Sequence, residues 1–290
     1  MMSVMGCCAS RQEISSPQKL ESWGGSINHM QEIKVKTWDE LAAKVVELRT
    51  ALGENSSLVF RGQSNSCWRL NTTLERTQGR TLFKEYYSVI SRIKPQIESL
   101  TSNRWDITEY PEIEQLCTRY EELDRALWSG RCPAYDYMVH LRHHGFPSPL
   151  LDWTRSLYVA AYFAFSTAKE VDSVSIYALS RQPNRISGNK LATVYQYGPY
   201  VRTHRRHFLQ QSEYTLCLFY EDEWWFDYYD EVFDKGLHQQ GQCQKFTIPI
   251  SERLRVLRLL DEHNLNAFSL FGSEESMMET LAAREFRSLR

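Results

Sequence analysis

From residue 30 onward the chain alternates short apolar runs with helical spacings. Ile33 and Val35 alternate with lysines as in a short strand, and Thr37-Trp38-Asp39-Glu40 then reads as a capping box. Leu41, Val45 and Leu48 continue at helical spacing. Ser57-Leu58-Val59-Phe60 is predicted to be a buried strand feeding the polar turn Arg61-Gly62-Gln63. Helices are predicted over 81–100 with a bend at Pro95, over 111–128, and over 133–143 with Pro133 in the first turn and Gly145 as the stop. After the apolar Leu150-Leu151, a helix rich in Ala and aromatics is predicted from about Ser156 to Ala168. Strands follow at 174–179, 214–219 and 245–248, then helices over 251–262 and 273–287 capped by Ser251 and Ser273. Strands and helices mix without regular alternation, which predicts an α+β fold over a doubly wound α/β one.

Residues 1–29 lack apolar periodicity and are rich in Ser, Gly, Gln and Cys, so they read as a flexible leader or an appended remnant. One domain then spans 30–290, with a helical insertion at about 81–144. Translation from Met5 would make Gly6-Cys7-Cys8-Ala9-Ser10 a lipidation pattern, although the four residues ahead of it weigh against that.

Charge narrows the function. Over 290 residues, 34 Lys+Arg meet 36 Asp+Glu for a net −2, which excludes a polybasic binder and leaves only local nucleic-acid contact. No stretch approaches the roughly 18–20 apolar residues of a membrane span, so the chain reads as soluble, cytoplasmic and without a membrane partner. Seven scattered cysteines with no C-x-x-C pair argue against a disulfide framework or a zinc site, and no metal is expected.

The common signatures for nucleotide loops, serine hydrolases and zinc proteases are absent. Three constellations remain. Arg61 ends an apolar strand and precedes a glycine that permits close backbone approach, a place suited to clamping a phosphate or to pairing with a carboxylate. The loop His143-His144-Gly145-Phe146-Pro147-Ser148-Pro149-Leu150-Leu151-Asp152-Trp153-Thr154 gathers two imidazoles, a carboxylate and a hydroxyl. There Asp152 is expected to order the loop or cap the next helix. In Gln210-Gln211-Ser212-Glu213, Gln211 and Glu213 stand two apart at a strand start and are predicted to share a face.

Phe60-Arg61-Gly62-Gln63, Trp68-x-Leu70, the run from His144 to Thr154, and Ala160-Ala161-Tyr162-Phe163-Ala164 together resemble the FRG domain, named for its Phe-Arg-Gly. The likeness covers roughly 30–280 and departs at Ser148-Pro149, where Thr-Arg is common. The order of motifs is also similar, more distantly, to ADP-ribosyltransferases of the R-S-E class: Arg61, then Asp152-Trp153-Thr154 entering Ala160-x-x-Phe163, then Gln211-Ser212-Glu213. Asp152 stands where that class has its first Ser, so the hydroxyl role passes to Thr154.

That resemblance implies an ADP-ribosyltransferase-like split β-sheet core with surrounding helices, and NAD as cosubstrate. Glu213 would stabilise positive charge developing on the ribose, and Gln211 would face the acceptor. Arg61, His144, Asp152 and Thr154 would bind the cofactor, with Arg61 on the diphosphate or ribose, Thr154 on the nicotinamide side, and Tyr162, Phe208 or Tyr214 stacking on a ring. The resemblance implies a mono-ADP-ribosyltransferase acting as an intracellular toxin or defence effector. Q-x-E in place of E-x-E shifts the expected acceptor from arginine to amide side chains or nucleobases. The basic Arg202-Thr203-His204-Arg205-Arg206-His207 favours RNA or DNA, with protein second. Segment 220–234 holds seven carboxylates interleaved with aromatic rings and either packs on its own domain or meets a neutralising partner. The competing readings are an NAD glycohydrolase, a non-enzymatic nucleotide- or partner-binding module, and a hydrolase built on His143 or His144 with Asp152.

Overall fold

The computed structural model describes residues 30–53, 57–181, 192–234 and 243–286; the leader 1–29 and its lipidation pattern lie outside the described residues. Among these, strands β1 (Gln31–Lys34), β2 (Ser57–Gln63), β3 (Thr81–Leu82), β4 (Leu150–Thr154), β5 (Ser173–Arg181), β6 (Thr193–Tyr197), β7 (Ser212–Glu221), β8 (Glu223–Phe226) and β9 (Cys243–Pro249) form one mixed sheet. Helices α1 (Trp38–Leu52), α2 (Thr73–Gln78), α3 (Phe83–Thr101), α4 (Tyr110–Thr118), α5 (Tyr120–Trp128) and α6 (Tyr135–His143) precede or interrupt its first four strands. Further on come α7 (Leu157–Ser166), α8 (Arg206–Leu209), α9 (Tyr229–Asp234), α10 (Arg253–Glu262), α11 (Ala267–Phe271) and α12 (Glu274–Glu285). The fold is α+β, as the unordered mixture of strands and helices predicts. No described helix is long and apolar enough to cross a membrane.

The sheet runs β1-β9-β5-β2-β4-β7-β8-β3, with β6 also paired to β7; β1 and β9 are parallel and the other pairs antiparallel. Pairing is uneven. β2 and β5 register over seven positions, but β2 and β4 meet at one, Phe60 with Thr154, and then diverge. This fork divides the sheet. On one side a core gathers Leu58, Phe60, Ile176, Phe246 and most of α7; on the other, Leu150, Leu216 and Leu218 pack with α3 to α6. A third cluster, including Val59, Trp153, Tyr177 and Tyr229, covers the opposite face and spans the fork.

Strand alternation assigns each residue of Phe60-Arg61-Gly62 its own task. Phe60 is fully buried beneath α7, Arg61 points the other way, and Gly62 lets α7 settle on the sheet. A methyl group at Gly62 would run into the Ala160 carbonyl oxygen and stand 2.7 Å from the Ala164 nitrogen. That is why the helix opposite reads Ala160-Ala161 and Ala164.

Several boundaries differ from the sequence expectation. The 111–128 helix is two, broken where Arg119 leaves helical geometry (φ −105°, ψ 81°). Ala134 takes a left-handed conformation (φ 57°) at the cap of α6, which leaves Pro133 outside the helix. Ser251 lies in a short 3-10 turn over Ile250–Glu252 and does not cap α10, whereas Ser273 does cap α12, accepting from the Ser276 N–H. Thr37 accepts from the Glu40 N–H as predicted, but Glu40 reaches back to the N–H of Lys36, so the reciprocal bond falls one residue early.

Segment 220–234 packs on its own domain. Trp224, Phe226, Tyr229 and Val232 are buried, and Glu223, Asp227 and Asp230 pair with Lys84 (2.5 Å), Arg80 (2.6 Å) and Arg69 (3.0 Å) of the same chain. The four described cysteines away from the surface, Cys117, Cys132, Cys217 and Cys243, are free thiols in the interior.

Helix α2 carries a complete capping box between Thr72 and the buried Glu75, and burial, with Asp230 nearby, pushes the Glu75 carboxyl up to about 7. Folded protein therefore binds more protons than unfolded chain between about pH 4.5 and 7, so this group's contribution is lost as pH rises through that window. Glu75→Gln keeps an acceptor for the Thr72 N–H without the charge. Its stability relative to wild type is expected to improve by about 2–3 kcal/mol between pH 5 and pH 8, read from urea midpoints; a pH-independent difference would refute the assignment.

Candidate functional site

The fork supplies the site. Where β2 and β4 part, the Arg61 guanidinium fills the gap, its Nη1 donating to both the carbonyl and Oδ1 of Asp152 at 2.8 Å. In a continuous ladder that carbonyl would find a strand N–H; here a side chain takes its place. Arg142, at the end of α6, reaches the same Asp152 Oδ1 through Nη2. Both arginine side chains are 15% exposed, while that of Asp152 is 45% exposed. Two half-buried cations thus share one carboxylate at an open edge. Burial lowers Arg61 to about 10 and Arg142 to about 9, the latter helped by Arg61, and both stay charged at neutral pH. Arg61 Nε is buried without a hydrogen-bond partner, a deficit of about 1–3 kcal/mol for a buried donor.

A small cleft opens at this point, lined by Arg61, Gly62, Asp152, Thr154, Phe163 and Ser212 among others, with room of about 30 Å³. That admits one small group; a larger ligand has to lie across the exposed Asp152. Thr154 is 5% exposed, and its Oγ1 accepts from the Ser156 N–H at 3.1 Å while the Ser156 hydroxyl caps α7. The hydroxyl predicted to bind ligand therefore also fixes the entry of the helix that covers the strand.

β7 brings Glu213 to the ladder position opposite Trp153. Paired residues share a face, so Glu213 points with Trp153, away from Asp152, Thr154 and Ser212. It is 6% exposed, lies 3.7 Å from Arg155 Nε, and is walled by Gly198, where an added methyl would press on its Cγ at 3.0 Å. Glu213 does not line the cleft. By the Phe60–Thr154 register it does share a sheet face with Arg61, with Trp153 standing between them. Gln211 precedes the strand in a left-handed conformation (φ 49°), so the period-two rule does not reach it and the expected shared face with Glu213 is not formed. His144 sits apart, lining a larger cavity of about 1060 Å³ with Trp105, His140, Tyr200, Arg202 and His204. Of the predicted site residues, the structure joins Arg61, Asp152 and Thr154, sets Glu213 and Gln211 beside them, and separates His144.

The proposed ring-stackers fare differently. Tyr214 is 1% exposed and held at both sides of its hydroxyl, and Tyr162 lies in the α7 core, whereas Phe208 is exposed. Phe163 is the aromatic that lines the cleft. His207 Nε2 lies 2.8 Å from the Pro199 carbonyl, which can only accept, so in neutral His207 the other nitrogen, Nδ1, receives the Tyr214 O–H (3.3 Å). The Tyr214 oxygen then accepts from His143 Nε2 (2.9 Å). Burial, then Arg142, lowers His143 to about 4, consistent with a neutral chain. His143, His144 and Asp152 are thus committed to three different settings, which separates the parts of the proposed hydrolase site.

Arg142 carries no ligand signal in the sequence, and Phe163 shows there only as a motif position. Arg142 ends a helix, where a cation ordinarily complements the macrodipole, and Phe163 belongs to an apolar helix. The signal that could have found Arg142 is the excess of basic groups over Asp152 once Arg61 was placed beside it.

No curated protein matches the chain, and no solved structure matches it. The family model of the FRG domain matches residues 56–173, a shorter span than the 30–280 likeness expected from the motifs. The match runs from the strand of Phe60-Arg61-Gly62 through Arg142, Asp152, Thr154 and α7, and stops before Gln211 and Glu213. The chain thus matches the FRG domain model over residues 56–173, a span that takes in the sheet fork and its arginines.

Proposed function

We propose that the protein is an NAD-dependent mono-ADP-ribosyltransferase, an intracellular toxin or defence effector whose acceptor is a nucleic acid, RNA first. The observation that supports this most is convergence. Positions 61, 154 and 213, separated by 93 and 59 residues in sequence, stand on adjacent strands in or next to the row Phe60–Thr154–Ser212, Arg61 and Glu213 on one face of the sheet and Thr154 on the other. Arg61 would take the diphosphate side of NAD at the fork, Phe163 offers a ring beside it, and Glu213 would act from the sheet face it shares with Arg61. The acceptor reading draws on Arg202 and His204, which line the His144 cavity with Trp105 and Tyr200 as stacking surfaces.

A second reading, a non-enzymatic nucleotide-binding module, is favoured by one feature: Glu213 is packed against Arg155 and Gly198 outside the cleft. Labelled NAD incubated with the protein and RNA, DNA or protein in parallel separates the two. Transfer of label to RNA, with nicotinamide released, is the expected result. Binding without nicotinamide release from any mixture would leave only the module, and release without labelling would make it a glycohydrolase.

A further inference from the structure

One continuous stretch of chain borders both the large cavity and the fork cleft. Tyr200, Arg202, Thr203 and His204 line the cavity of about 1060 Å³, and Gln210 and Ser212, a few residues on, line the cleft. Between them Val201 and His207 are buried, His207 held to the Pro199 carbonyl at 2.8 Å, while Tyr200 and Phe208 are 91% and 63% exposed. Arg202, His204 and Arg205 are exposed as well. On the cleft side Arg206 lies over the Phe271 ring (5.5 Å), and Phe271 packs on Phe163 (6.0 Å between ring centroids). The stretch is thus pinned at intervals and turns aromatic and basic groups outward.

These groups point to an anionic partner with flat faces. Residues 199–212 hold three Arg and two His and no Asp or Glu, in a chain of net charge −2. The cavity wall is itself balanced, Arg104 and Arg202 against Asp106 and Asp136, so the attraction lies along the strip. In that wall Trp105, His140 and His144 stand in series, with ring centroids 4.5 and 4.4 Å apart. The Tyr135 hydroxyl and Thr203 Oγ1 are buried there without a hydrogen-bond partner, which suits a polar ligand atom. Rings give stacking faces to unpaired bases, and arginines between them meet the phosphates. An acidic peptide would use the charges and waste the rings, and a duplex keeps its bases stacked out of reach.

We propose that residues 200–208 form a track for unpaired RNA, which enters the His144 cavity at one end and runs over Phe208 toward the fork at the other. The inference rests on the nucleic-acid reading of the acceptor and adds that the strand is single and which side chains hold it. Binding along the track needs no NAD.

The test is fluorescence anisotropy of the full chain with an unstructured RNA of about eight nucleotides, beside the same RNA annealed to its complement, both without NAD. The single strand is expected to bind about 10-fold or more tightly than the duplex. Tyr200→Ala and Phe208→Ala, exposed changes that leave the core alone, should each weaken it about 5- to 100-fold, the worth of one base stacked on a ring. Arg205→Ala should reduce the slope of log K against log salt by about 0.7, one phosphate contact. No saturable binding, a duplex bound as tightly, binding untouched by either ring variant, or a salt slope unmoved by Arg205→Ala would overturn the proposal. Added labelled NAD separates it from the transferase reading. RNA bound as expected without gaining label sustains the track and removes the transfer, whereas labelling of RNA that both ring variants leave unchanged overturns the track alone.

Discussion

Glu213→Gln is expected to slow nicotinamide release from NAD by about 100- to 1,000-fold, the cost of removing one electrostatic group from a transition state. The substitution is nearly isosteric, so packing against Gly198 and Trp153 is kept and only the charge is lost. Because the arginines at the fork would hold the other side of NAD, the loss is expected in kcat with little change in KM. A purely structural Glu213, serving as partner to Arg155 at 3.7 Å, predicts something else: lower stability, shared by Arg155→Met, with turnover intact. Steady-state kinetics on both variants, with melting temperatures alongside, decide the matter. Wild-type turnover by Glu213→Gln would remove the glutamate from the chemistry.

Gly62→Ala is expected to be the costliest small change in the sheet, about 3 kcal/mol or more. The added methyl meets the Ala160 carbonyl and the Ala164 nitrogen, which are backbone atoms of α7 and cannot rotate aside. To relieve the conflict, the helix must lift from the sheet, uncovering Phe60, Ile176 and Phe165, each fully buried. Trimming Ala160 to Gly should give no rescue, because the obstructing atom belongs to the main chain. A urea midpoint equal to that of wild type would show that α7 does not sit as closely as described.

The contrast between these residues explains what was legible. Gly62 was readable as a site of close approach, although the approaching body is a helix of the same chain where a ligand was suspected. Arg61 was readable because a charged residue at the end of Leu58-Val59-Phe60 breaks the apolar pattern. Its partner Asp152 was visible only as a loop acid, since nothing local says that two strands diverge. Gln211 misled for a related reason: the alternation rule holds inside a strand, and the strand begins one residue later, at Ser212. β8 escaped because its aromatics read as part of the acidic segment 220–234. Arg142 escaped because its meaning depends on a carboxylate ten residues further on, across a turn.

The fork has one more consequence. Two of the three apolar clusters belong to one half of the sheet each, and only the cluster around Val59, Trp153 and Tyr177 joins the halves. Arg61 and Glu213 share the sheet face that this narrow weld covers. The halves can therefore keep their spectroscopic signatures while the weld loosens and the arginines part from Asp152. Ligand binding reports on the integrity of the joint and circular dichroism on the blocks it joins, so the first can vanish while the second is unchanged.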